Sequence, residues 1–263
     1  MDRVIMRHLK LLPASTKHKQ VEAPHCPPPS RVLIDQRCAE VTDECMRLQA
    51  EAMKELNEVA KSLALSNGDE HQQDIFDLAG EEQRRWVGNG GDLDYDIDAV
   101  LASKPRGTVR VGLDIGGGTG TFAARMAERG VTVVTTTLDL GAPLGAFVAS
   151  RGLVPLDLGA VAGRLPFFDG TLDIVHSMHA LGNWIPGEVM EAELYDIYRV
   201  LRPGGIFWLD HFFCTGKEMA EVYVPIIEKV GFRKLRWNTG KKLDKGPNAD
   251  EWYISALLER PMM

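Results

Sequence analysis

Three of the seven histidines, His176, His179 and His211, follow apolar runs that read as β-strands, and Asp210 immediately precedes the last of them. An imidazole titrates near neutral pH, so a histidine placed beside a substrate can take a proton from a group that must lose one. The plainer reading is that these rings bond locally where loops begin. Together with Asp210 they could also offer nitrogen and oxygen ligands to a divalent ion, but no Asp-rich ligand pattern accompanies them and no metal is expected. Along a regular strand Asp210 and His211 would point to opposite faces, which argues against a direct pairing of the two.

A second constellation lies at 109–130, VRVGLDIGGGTGTFAARMAERG. Val109, Val111, Leu113 and Ile115 suit a buried strand. Gly116, Gly117, Gly118 and Gly120 let the backbone approach a ligand closely, and Phe122, Ala123, Met126 and Ala127 then repeat at helical spacing. Strand, glycine turn and helix in that order make a nucleotide-handling loop. A dinucleotide fingerprint needs glycine at its first, third and sixth positions, and Thr121 occupies the sixth here. A P-loop needs Gly-Lys-Ser/Thr, which does not follow. The spacing is instead glycine at 116, 118 and 120, with Asp114 two residues before the first.

With that spacing the chain resembles the class I S-adenosylmethionine-dependent methyltransferases, whose first motif is Asp/Glu-x-Gly-x-Gly-x-Gly. Two later motifs of that family follow in its order, LPFFDGTLDIV at 165–175 and YRVLRPGGIFWLD at 198–210. The resemblance covers about 109–258 and is nearest to plant methyltransferase-like proteins through VTTTLDL, GLVPL, NWIP and FWLD. It implies an α/β, Rossmann-like fold: a mainly parallel seven-stranded sheet with an antiparallel edge hairpin, plus N-terminal helices. It also implies S-adenosyl-L-methionine as cofactor and S-adenosyl-L-homocysteine as product.

By the same resemblance Asp114 organises the glycine loop and helps hold the methionine end of the cofactor, while amides of Gly116, Gly117, Gly118, Thr119 and Gly120 can face its carboxylate. The family's acidic ribose ligand ends the second strand. Counting from Gly120 puts Thr137 at that place and Asp139 two residues on, beyond Leu138 and on the same strand face. Asp139 is favoured, with Thr137 as the alternative. The family's acidic adenine ligand before Leu-Pro-Phe is missing, since Ala160, Val161, Ala162 and Gly163 stand there, and Asp157 is the substitute. His176, Ser177 and Met178 would border the cofactor.

Methyl transfer from a sulfonium is an in-line displacement, and holding the reactants in a near-attack geometry contributes about 7–11 kcal/mol. A phenol or amine acceptor must also lose a proton. His211, or next His179, is expected as general base, with Asp210 orienting an imidazole. Asn183, Trp184 and Phe212, joined by Trp86 and Tyr95 from a lid that includes Ile75 and Phe76, would form an apolar acceptor pocket, although such aromatics serve as plain core as well. The expected function is methylation of a small aromatic or phenolic acceptor, O-directed before N-directed. The alternatives are N-methylation of a small molecule or a protein, and a methyltransferase-like binding protein without turnover. His-Ser-Met-His stands where base and amide methylators carry Asn/Asp-Pro-Pro-Tyr, which argues against DNA.

The elements that must position these groups follow from composition and pattern. The chain has 263 residues, a net charge of −7 and a pI near 5.5, so no cationic surplus awaits nucleic acid. Cys26, Cys38, Cys45 and Cys214 lack paired spacing and read as reduced thiols. No apolar run approaches a membrane span, so a cytoplasmic protein is expected; some plant relatives carry an N-terminal anchor, and none is visible here. Three segments are expected: a flexible lead-in at 1–37, a helical lid or cap at 38–106 and the cofactor-binding domain at 107–263. Within the cap, 38–65 reads as one long amphipathic helix whose stripe covers the sheet domain or pairs with a second copy. Onward, strands are expected at 131–140, 154–158, 172–176, 206–213, 234–238 and 252–258, with helices at 188–200 and 218–230.

Overall fold

Strands buried on both faces carry near-continuous apolar side chains, and the middle of this chain supplies several such runs. The computed structural model describes residues 84–88, 91–137, 144–159, 164–243, 246 and 249–262. The expected lead-in, the helix at 38–65 with its pairing to a second copy, Ile75, Phe76, Leu138, Asp139 and the segment 160–163 lie outside the described residues.

In chain order the elements are α1 (Ile97–Ala102), β1 (Val111–Ile115), α2 (Thr121–Ala127), β2 (Thr132–Thr137), α3 (Leu144–Ser150), β3 (Val154–Asp157), β4 (Leu172–Met178), α4 (Gly187–Val200) and β5 (Leu201–Thr215). A short α5 (Gly216–Glu218), a π-helical turn (Met219–Tyr223), α6 (Val224–Val230), β6 (Arg233–Lys241) and β7 (Glu251–Glu259) complete it. The seven strands form one sheet in the order β3-β2-β1-β4-β5-β7-β6. The first five pair in parallel, and β7 lies antiparallel between β5 and β6. The expected fold and edge hairpin are therefore present.

The helix expected at 218–230 is interrupted. Thr215 and Glu218 form a reciprocal capping box that starts a turn there, and the Val224 N–H donates to Met219 O, five residues back. Pro225 has no N–H to continue the ladder, so the wider π turn accommodates the missing donor before α6 resumes.

Two cores sandwich the sheet. On one face Leu113, Val175, Phe207 and Leu209 cluster with Leu194 and Ile197 of α4 and Ile227 of α6. On the other, Val133, Ile174 and Trp208 cluster with Phe122 and Met126 of α2, and with Ile97 and Val100 of α1. The described end of the expected cap is thus part of this second core. Asp96 starts α1 by accepting a hydrogen bond from the Ala99 N–H, Arg129 grips Asp98 with two nitrogens at 2.6 and 2.8 Å, and Lys104 pairs with Glu259 of β7. Because Ile97 is fully buried, Ile97→Ala should lower the unfolding free energy by ~2–5 kcal/mol in urea titrations. A change below about 0.5 kcal/mol, the usual size for a surface substitution, would contradict the placement of α1 in the core.

Candidate active site

The strand order reverses between β1 and β4, and ligands of open parallel sheets bind in the crevice beyond the carboxyl ends of strands at such a point. Asp114 on β1 and His176 on β4 are register partners there, and His176 is in turn the partner of Trp208 on β5. Partners in register share a face, so the three side chains point to the second core. His176 Nδ1 lies 2.7 Å from Asp114 Oδ1, and its Nε2 lies 3.4 Å from Asp210 Oδ2. Phe122 lies flat on the imidazole at 3.8 Å between ring centres, and Trp86 and Trp208 meet it edge-on. All three polar residues are at most 2% exposed.

The pairing that regular alternation argued against is present: His211 Nδ1 is 2.6 Å from Asp210 Oδ1. The cause is a β-bulge. Leu209 pairs with Ala256 and Phe212 with Ile254, so Asp210 and His211 together oppose the single Ser255. His211 takes a left-handed φ of 48°, and its N–H donates to Ser255 Oγ at 3.2 Å. The bulge swings the imidazole back over its own neighbour, and it has a second effect. Phe212 would otherwise share the face of Asp210; displaced by one residue, it joins Phe207 and Leu209 in the opposite core, 1% exposed and against Tyr223. Its expected role in an acceptor pocket is thereby corrected.

Asp210 also accepts a hydrogen bond from Trp86 Nε1 at 3.0 Å, and Trp86 itself sits at a left-handed φ of 61°. His179, left-handed too at φ 56°, donates its N–H to Asp210 O and lies 5.4 Å from His211, ring to ring. Non-glycine residues in that region cost roughly 1–3 kcal/mol each and cluster at sites where geometry is over-determined. Here all three surround one carboxylate.

Charge follows from these contacts. Burial opposes a proton on His176, but attraction and hydrogen bonding from Asp114, reinforced by Asp210, raise its pKa to about 9. Burial likewise opposes ionisation of Asp210, yet the hydrogen bonds of His176 and His211 hold its carboxyl well below the usual carboxylate range. Burial, then the neighbouring His211, lowers His179 to about 4, leaving a neutral ring of weak basicity. That disfavours His179 as a proton acceptor.

A cleft of about 370 Å³ opens beside this cluster, lined by Trp86, Tyr95, Met178, Asp210 and His211 together with Arg84, Arg85, Gly88 and Asp94. His211 Nε2 lies 3.5 Å from Asp94 Oδ1. Trp86 and Tyr95 thus line the cleft as expected of lid residues, although the Tyr95 hydroxyl is tied down, donating to Ser255 O at 2.7 Å beside Asn238. Asn183 and Trp184 do not line it. The Asn183 side chain donates to Glu218 and its N–H to Phe213 O, while Trp184 packs on the first core and over Gly182, where a Cβ would lie 2.2 Å from the indole. Arg84, Arg85 and Asp94 were not singled out in the sequence; nothing in their spacing brings them to β5.

The glycine loop is braced from inside. The Gly116 N–H donates to Thr136 Oγ1 at 2.8 Å, Gly117 to Thr136 O, and Gly120 to Gly117 O, so these three amides serve the loop itself and do not face a ligand. Closeness explains the second glycine: a Cβ on Gly117 would lie 2.1 Å from Asp114 Oδ2 and 2.6 Å from Thr135 Cγ2. Asp114 Oδ2, Thr137 Oγ1 and Ser177 Oγ, at the carboxyl ends of β1, β2 and β4, are buried without a hydrogen bond. An unsatisfied buried carboxylate oxygen and two hydroxyls fit a ligand that brings an ammonium and hydroxyls of its own. Asp157, exposed on the edge strand β3, is the register partner of Thr137 and stands at the same end. Among the described residues, no group of three or more His, Cys, Asp or Glu could hold a metal ion, and no helix is long and apolar enough to cross a membrane.

The proton on His176 makes stability depend on pH. Its folded pKa is raised, so its contribution is complete below the unfolded value near 6.5 and is lost as pH rises through about 9. The melting temperature should therefore fall between those limits in the wild type and much less in His176→Gln; equal slopes by scanning calorimetry would contradict the assignment.

Residues 113–209 match the family described as a methyltransferase domain. A probable methyltransferase of Arabidopsis thaliana is 42% identical over 190 residues, covering 71% of this chain and 50% of that protein. A demethylmenaquinone methyltransferase of Beutenbergia cavernae is 41% identical over 96 residues, 35% of this chain and 37% of that protein. A TehB-like SAM-dependent methyltransferase from Corynebacterium glutamicum superposes with a TM-score of 0.42 at 21% identity, over 63% of this chain and 89% of that one. The chain spans about half the length of the Arabidopsis relative. With its glycine loop, its two later motifs and these matches, the chain carries a methyltransferase domain over residues 113–209.

Proposed function

We propose that the chain transfers a methyl group from S-adenosyl-L-methionine to a small, largely apolar acceptor held in the cleft, O-directed before N-directed, with His211 as general base. One observation carries this reading: the same buried carboxylate, Asp210, fixes the cleft-lining His211 and, through His176, touches Asp114 beneath the glycine loop. Asp114 Oδ2 would receive the cofactor's ammonium, Thr137 its hydroxyl-bearing sugar and Asp157 its adenine amine, and Ser177 and Met178 would border it. Bound there, the cofactor supplies a methyl group already carried on a good leaving group, so the protein's task is to position the acceptor and remove its proton.

Asp210 performs the second task indirectly. By accepting the His211 Nδ1–H it fixes the tautomer and leaves the Nε2 lone pair to accept a proton from a hydroxyl in the cleft. Asp94, half exposed to water and so not dependent on a donor from Nε2 as the buried Asp210 is on His176, then stabilises from 3.5 Å the imidazolium that results. Trp86, Tyr95 and Met178 give the cleft an apolar wall that displaces water from the acceptor.

The test is transfer of labelled methyl groups from the cofactor into small-molecule and macromolecular fractions of an extract, followed by kinetics on the acceptor found. His211→Ala should lower kcat by ~10²–10⁴ while S-adenosylhomocysteine affinity stays within about twofold. Unchanged turnover would remove His211 from the reaction, and label confined to protein would replace the small-molecule reading with protein methylation.

A further inference from the structure

We propose that His176 is a doubly protonated positioning residue, an imidazolium clamped between Asp114 and Asp210 that holds Asp210 ionised and aimed at His211. The inference rests on the reading of His211 as base and adds the group that sets its basicity. Each ring nitrogen of His176 faces a carboxylate oxygen, at 2.7 and 3.4 Å, and an ionised carboxylate only accepts hydrogen bonds. A neutral ring would turn a lone pair against Asp210 Oδ2. Two N–H groups satisfy both neighbours, and the Phe122 face stacked on the ring suits a cation.

The surroundings demand the charge. Two buried carboxylates joined by a neutral ring would leave two negative charges out of water, an arrangement that costs several kcal/mol per ion. With His176 charged, Asp210 has three donors, His176, His211 and Trp86, and has no reason to take a proton itself. Attraction and hydrogen bonding from Asp114, with Asp210, outweigh the penalty that burial places on the charged ring of His176. The other groups facing the pair Asp210–His211 are Asp94, Arg84 and Arg85 from the segment before α1, Tyr95, His179 after β4 and Tyr253 of β7. None of these lies between the two carboxylates.

The consequence concerns the base. A cation close to His211 disfavours a second one, so removing it leaves Asp210 free to pull a proton onto His211. His176→Gln, which keeps a hydrogen-bonding side chain and loses the charge, should raise the His211 titration midpoint by about one pH unit, a tenfold gain in proton affinity. A purely structural role would leave that midpoint unmoved.

The experiment is proton–nitrogen correlation NMR on the full chain with ¹⁵N-labelled histidine, titrated from pH 5.5 to 8. Both ring nitrogens of His176 should stay at protonated shifts throughout, and in His176→Gln the His211 midpoint should move up relative to the wild type. A single neutral tautomer at His176 at pH 7, or an unmoved His211 midpoint in a folded variant, would overturn the proposal. If His176→Gln does not fold, the wild-type spectrum decides on its own. None of these readouts needs cofactor or turnover, so a failure of the methyltransferase reading would show separately, in the transfer assay.

Discussion

A carboxylate sealed from water must be answered by donors, and Asp210 is answered from three directions at once. Much of the local architecture serves that requirement. The β5 bulge brings His211 back to Oδ1, the left-handed turn at Trp86 delivers an indole N–H to Oδ2, and β4 carries His176 in register beneath them. Trading any of these donors for an apolar side chain would leave a buried charge short of a partner, which is far more costly than the loss of one exposed hydrogen bond. The segment 84–96, part of the expected lid or cap, is held to the sheet by this demand as well as by Tyr95, and α1 after it by Ile97 and Val100.

The sheet order converts this local constraint into a site. Because β1, β4 and β5 are neighbours and parallel, their carboxyl ends present Asp114, His176 and Asp210 in a row, reaching from the glycine loop to the cleft. The row runs between the two places that the proposed reading gives to methyl donor and acceptor. Residues far apart in sequence become one continuous hydrogen-bonded unit because parallel strands return to the same edge after each helix.

Much of the fold was legible in the chain. An apolar run ahead of a glycine turn gave β1 its place, an apolar run after the Pro-Gly-Gly turn gave β5 its own, and the hydrophilic stretch after β6 marked the hairpin with β7. Asp114 could be read from its spacing to the glycines, and the three histidines from their positions after strands. What could not be read is the bulge: period-two alternation places Asp210 opposite His211 and Phe212 on the site face, and both inferences fail for the same reason, one extra residue facing Ser255. Aromatic residues were ambiguous in the same way. Trp86 lines the cleft while Trp184 packs on core, and no local pattern separates them, because the difference lies in which distant element each one meets. The π turn before α6 was hidden too, since Pro225 stands within a run that otherwise has helical spacing.

The claim underlying all of this is that the crevice over β1, β2 and β4 receives S-adenosylmethionine, with Asp114 as its anchor. Calorimetric titration of the folded chain with S-adenosylhomocysteine, repeated on Asp114→Asn, tests it most directly. The account predicts one binding site per chain in the wild type and an affinity at least tenfold weaker in the variant, a loss of about 1.4 kcal/mol or more. Absence of heat and of any shift in melting temperature at millimolar ligand, or equal affinity in the two proteins, would contradict it.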